Sequence, residues 1–169
     1  CKRCHEKEYQ AYTGSHHDLA MSPATNDTVL GDFSGASFTH HNVTSRFYQK
    51  DGNFLVTTPG SHGKLQEFYI KYTFGFYPLQ QYLVEFPSGR LQCLPLCWDP
   101  RPKSEGGQRW FHIYDKEYIS PQDVLYWTSV SQNWNSICAE CHSTNLRKNL
   151  IGLIGFFVYM KFNISISVT

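Results

Sequence analysis

The feature that most constrains this chain is a pentapeptide that occurs twice, CKRCH at Cys1, Cys4 and His5, and CAECH at Cys138, Cys141 and His142. Two thiols separated by two residues can each form a thioether to one of the two vinyl groups of a haem, and the histidine that follows then lies under the iron as proximal ligand. Four thiolates from Cys1, Cys4, Cys138 and Cys141 also satisfy a tetrahedral zinc site. Zinc needs neither histidine. With eight His in 169 residues, a His directly after both pairs favours covalent attachment of at least two haems c, with His5 and His142 on iron.

An anchor histidine fills one axial position, so a sixth ligand comes from elsewhere or the position stays open to a substrate. His16 and His17 follow the first motif too closely to return to the opposite face of its own haem, and either reaches a neighbouring one more naturally. His40 and His41 stand at the entry to a strand-rich region, where an extended adjacent pair points one side chain inward and one outward. His112 alternates with Trp110 and Tyr114, which suits a half-buried core residue and a ligand equally. His62, between glycines in PGSHGK, reads as exposed. Met21 is a thioether donor or a packing residue.

Along the chain, residues 6–21 carry Tyr9, Tyr12, His16 and Leu19 at helical steps and predict a short helix, weakened at Gly14. From about 33 to 115 the pattern becomes a β-meander, with SRFYQ and NFLVTT flanking the Asp-Gly hairpin signal KDGN, and QRWFHIY as a further strand. SPQDVLYW, with Ser120 as N-cap and Pro121 in the first turn, predicts a second helix leading to CAECH. The expected fold is therefore α+β, a β-meander sheet flanked by short helices that carry the Cys-x-x-Cys-His motifs. Aromatic residues make up 16% of the chain, a level that suits sheet packing or a flat cofactor.

Cys93 and Cys97 lack a following His and read as buried small residues. On a straight strand they would stand roughly 13 Å apart, so a disulfide would need a bend at Pro95. The formal charge of +1 with interspersed signs gives no basic stripe, and nucleic acid is not an expected partner. The apolar run LIGLIGFFVYM is too short to span a bilayer, so no transmembrane segment is expected. The chain begins with Cys, which reads as a fragment or processed form with any export signal outside it.

CKRCHEKEYQAYTGSHHDLAMSPAT, KYTFGFYPLQQYLVEFPSGRLQCLPLCWD, GGQRWFHIY and NWNSICAECHSTNLRK together resemble the N-terminal region of periplasmic multihaem c-type cytochromes, whose longer members continue into more haem motifs and tetratricopeptide repeats. The first segment also resembles tetrahaem electron carriers associated with hydroxylamine oxidation. The resemblance covers residues 1–148. It implies export, closely packed bis-His haems, redox protein partners and a further haem-bearing region of the full chain. A Ser-x-His-x-x-Ala element that supplies a distal histidine in such cytochromes is matched by Ser15, His17 and Ala20, which raises His17 above His16; His41, His40 and His112 stand behind it. Two departures stand out: Tyr126 occupies a position that is often His in relatives, and residues 149–169 turn apolar where relatives stay polar, as truncation or a frame change would produce.

The sequence thus divides into a cytochrome region, 1–148, and an atypical tail, 149–169. Electron transfer is the favoured function. The alternatives are a multihaem oxidoreductase acting on a small nitrogen or sulfur compound through an open iron position, and a zinc-stabilised β domain.

Overall fold

The computed structural model describes residues 2–142, 147–154 and 157–163. Strands β1 (Met21–Pro23), β2 (Ser34–His40), β3 (Val43–Lys50), β4 (Asn53–Pro59), β5 (Leu65–Phe74), β6 (Gln81–Phe86) and β7 (Arg90–Cys93) form one sheet. Its order is β2-β3-β4-β5-β6-β7, with β1 on β5. Every pairing is antiparallel. A ribbon of β8 (Leu96–Asp99) and β9 (Arg109–His112) is tied to it where Gln80 bridges Trp98. A separate hairpin pairs β10 (Arg147–Ile154) with β11 (Phe157–Asn163), so that β10 runs across Lys148, where the resemblance ends. Residues 164–169, most of the NISISVT stretch, lie outside the described residues.

The meander follows its turn chemistry. Asp51 and Gly52 take φ of 51° and 74° between β3 and β4, the left-handed pair of a two-residue hairpin. His41 and Asn42 do the same between β2 and β3, at φ 46° and 64°. That second turn explains why the two histidines do not alternate as in a straight strand: His41 belongs to the turn.

Aromatic rings account for the core. Phe33 meets Phe47, Phe54, Tyr82 and Trp110 edge-on at 5.2–5.7 Å, and Phe47 stacks on Trp110 at 3.5 Å. Each such contact adds about 0.5–1.5 kcal/mol beyond the area it buries. A second cluster of Met21, Leu83, Leu91, Cys93, Trp134 and Ala139 lies between β1, β6, β7 and the second motif. Met21 is therefore a buried packing residue.

The expected α+β class is overturned, because the chain is mostly antiparallel sheet and its helices are one or two turns long. The predicted helix over 6–21 shrinks to α1 (Glu6–Tyr12), which buries no residue. Gly14 then takes φ 74°, and a single 3-10 turn spans Asp18–Ala20. The predicted helix after Ser120 is a succession of turns, with Asp123 N–H on Ser120, Tyr126 on Asp123, Ser129 on Tyr126 and Gln132 on Ser129. Tertiary bonds hold these turns open. The Gln92 amide takes the carbonyls of Trp127 and Ser129, and the Tyr126 hydroxyl and Trp127 indole reach the Pro59 carbonyl, drawing groups away from a helical ladder. The first motif accordingly precedes a helix, Lys2–Cys4 forming a turn ahead of α1, while the second spans the end of a π-helical turn, Trp134–Cys138, and the single turn of α2 (Ala139–His142).

Cys93 and Cys97 are buried free thiols, β7 ending at one and β8 holding the other beyond Pro95. Burial pushes the Cys97 thiol up to about 12 and raises Cys93 as well. Among the described residues no helix is long and apolar enough to cross a membrane.

Candidate functional site

The second motif is fixed to the sheet by the asparagines that precede it. Asn135 Oδ1 accepts the Leu91 N–H at 2.6 Å and its amide donates to the Gly89 carbonyl at 3.1 Å. Asn133 forms a β-bridge with Gln92, donates its amide to Gln92 Oε1 at 3.2 Å, and caps the π turn by accepting the Ser136 N–H at 3.1 Å. These bonds extend the edge of β7 into the segment that bears Cys138. Trp134, fully buried between them, packs the segment onto Leu83 and Leu91. Sequence reasoning missed Gln92, Asn133 and Asn135; the available signal was the Asn-x-Asn spacing around a tryptophan just before the motif.

Cys138 is half-buried, while Cys141 and His142 are exposed. Burial, and then the neighbouring Cys141, raise the Cys138 thiol above its ordinary range. The His142 ring stands edge-on to Phe74 at 5.0 Å. Phe74 in turn pairs with Met21 in the β1–β5 register. This pairing brings the strand that follows His17 to the second motif.

Among the described residues the first motif has no comparable anchorage. Cys1 lies outside the described residues, and Cys4 and His5 are exposed. Lys2 sits over the Tyr9 ring at 5.2 Å, and Asp18 accepts the Gly14 N–H at 2.9 Å. His17 stands at the N-cap position of the 3-10 turn without a side-chain capping bond and is exposed; His16 packs its ring against Phe76 and Tyr77 at 5.4 and 5.7 Å. His62 is exposed.

His40, His41 and His112 come together. His40 stacks on His112 with ring centres 4.0 Å apart and planes within 8°, and His41 meets His40 edge-on at 4.2 Å. His40 Nε2 donates to the Asp115 carbonyl at 3.0 Å, and the Tyr114 N–H donates to His112 Nδ1 at 3.1 Å. Burial, reinforced by His40 alongside, lowers the His112 imidazole to about 4. The three line one wall of a cavity of about 240 Å³ whose other walls include Phe38, Gln81, Leu94, Trp127 and Cys138. Tyr126 also faces this cavity and spends its hydroxyl on the Pro59 and Gly60 carbonyls.

Among the described residues no group of three or more His, Cys, Asp or Glu is arranged to hold a metal ion. Cys4, Cys138 and Cys141 therefore do not converge as the zinc alternative requires. The same residues fit haem c. Thiols and imidazoles at Cys4–His5 and Cys141–His142 are open to solvent, and Phe74 and the 60% exposed Ile137 offer apolar surface beside the second motif. The buried indole N–H groups of Trp134 and Trp98 have no acceptor among the described residues.

Residues 1–51, under a third of the chain, match the family described as cytochrome c554 and c-prime. No curated protein and no solved structure matches the chain. The match covers the first Cys-x-x-Cys-His and His17, and it supports a multihaem c-type cytochrome family for this chain and, with it, haem c and electron transfer.

Proposed function

We propose that this chain is part of an exported electron carrier that holds one haem c at Cys1, Cys4 and His5 and a second at Cys138, Cys141 and His142. The observation that carries the reading is the doubled Cys-x-x-Cys-His, one copy inside the matched stretch and the other on a segment hydrogen-bonded to β7. When bound, each haem supplies one-electron exchange at its iron. The chain's own part is to present the thiols for attachment, hold His5 and His142 below the macrocycle and keep apolar surface around it.

His17 is our distal ligand for the second haem. Only three residues separate it from Met21, whose partner Phe74 touches His142. His40 and His112 already spend one ring nitrogen each on backbone groups and stack on one another, which disfavours them as ligands. Electron donors and acceptors are redox proteins and the further haem-bearing region implied by the resemblance. The test is a pyridine haemochrome assay with intact mass on protein made with export and haem-attachment machinery. Two c-type haems per chain are expected; the absence of a c-type band overturns the reading.

A further inference from the structure

The stretch Phe74-Gly75-Phe76-Tyr77, where β5 ends, meets the second motif on one side and the turn that bears His17 on the other. Phe74 stands edge-on to the His142 imidazole at 5.0 Å, with the ring planes 88° apart. It is itself packed against the buried cluster that holds Met21, Leu83 and Trp134. A ring edge held in this way resists rotation of the imidazole, because turning out of the T-shaped arrangement gives up the favourable alignment of the two rings. One residue on, the Gly75 N–H donates to the Ala20 carbonyl at 2.7 Å, and the Ala20 N–H donates to the His17 carbonyl at 3.4 Å. Residue 75 has to be glycine for this approach: φ is 81°, and a Cβ there would meet the Leu79 carbonyl oxygen at 2.8 Å. Phe76 and Tyr77 then pack on the His16 ring, which ties the same turn to the sheet.

We propose that Phe74 is the positioning residue of the second haem site: its ring fixes the plane of the proximal His142 imidazole, and Gly75 holds the turn that carries His17 against it. Both roles rest on the haem read at Cys138, Cys141 and His142 and on His17 as its distal ligand. A group that touches a metal ligand orients it, and the ligand's orientation in turn tunes the metal. Leucine could fill the same apolar space, but it has no ring edge with which to hold a plane. Low-spin ferric iron between two imidazoles gives an electron paramagnetic resonance signal whose position follows the angle between their planes, so the orientation of His142 is directly readable.

The test is electron paramagnetic resonance of the ferric, haem-loaded full chain, in which the second haem's signal is the one lost when Cys138 and Cys141 are replaced by Ala. In Phe74→Leu that signal is expected to move and broaden while the first haem's signal stays in place, and Phe74→Tyr is expected to restore the parent position. Leu83→Ala, in the same buried cluster, is expected to lower the melting temperature and leave the signal where it was, which separates positioning from packing. Gly75→Ala supplies a second measurement: cyanide is expected to displace the distal imidazole about fivefold faster, the equivalent of one lost backbone hydrogen bond. All variants are first checked for an intact sheet by circular dichroism. An unmoved signal in folded Phe74→Leu, or an equal movement in Leu83→Ala, overturns the role of Phe74 while the electron-carrier reading stands. An unchanged cyanide rate in folded Gly75→Ala overturns the role of Gly75. Absence of a c-type haemochrome band from the second motif overturns the electron-carrier reading and the positioning role with it.

Discussion

At the scale of single residues, His112 is held neutral against its ordinary tendency to protonate, first by burial and then by His40. Its folded value of about 4 lies below the ordinary 6.5, so below pH 6.5 the unfolded chain takes up the proton more readily. Stability is full above pH 6.5, falls as pH drops toward 4, and is level below that. Allowing for partial exposure, the loss is about 1–2 kcal/mol. Melting followed from pH 7 to 4 is expected to show this slope, and His112→Gln to flatten it. Gly31 makes a steric demand of a different kind. A Cβ there would press on the Tyr82 hydroxyl and come within 2.9 Å of the Trp110 ring, so Gly31→Ala is expected to cost about 1–3 kcal/mol in a denaturant melt. The attachment residues were legible in the sequence because covalent chemistry fixes their spacing. The imidazole stack was not, because it joins the end of β2 to the end of β9, some seventy residues on, and no local pattern encodes that meeting.

At the scale of elements, local chemistry and tertiary bonding divide the chain. The β3–β4 hairpin and β9 were readable because Asp-Gly and strand alternation act within a few residues. The stretch after Ser120 misled because its helix-start residues are real but its carbonyls are captured by Gln92. Asn135 is the matching case for the second motif. Removing its side chain leaves the buried Leu91 N–H without its partner, at a cost of about 1–3 kcal/mol. Asn135→Ala is therefore expected to speed hydrogen exchange at the Leu91 amide and to lower haem occupancy at Cys138 and Cys141, read by peptide mass. Unchanged exchange would mean that Asn133 and Trp134 seat the segment without Asn135.

At the scale of the whole molecule, the two motifs are attached to the sheet in unlike ways, and this asymmetry predicts unlike consequences of emptying them. The second motif shares a buried cluster with Leu83 and Leu91 and is bonded to β7 through Asn133 and Asn135. A haem there leans on the sheet itself, and its contacts with the fold add to the sheet's stability. The first motif stands on α1, a seven-residue helix that buries nothing, too short to persist in water without a surface to pack on. A haem there orders α1 more than it braces the sheet. Replacing Cys1 and Cys4 by Ala is thus expected to remove one haem, lower helical signal, and shift the melting of the strand signal by no more than about 2 °C. Replacing Cys138 and Cys141 by Ala is expected to shift it by about 4 °C or more, given about 2–4 °C per kcal/mol for a chain of this size. Haemochrome content and a far-ultraviolet melt on the same samples read both effects, and equal shifts for the two variants would show that the sheet draws on both haems alike.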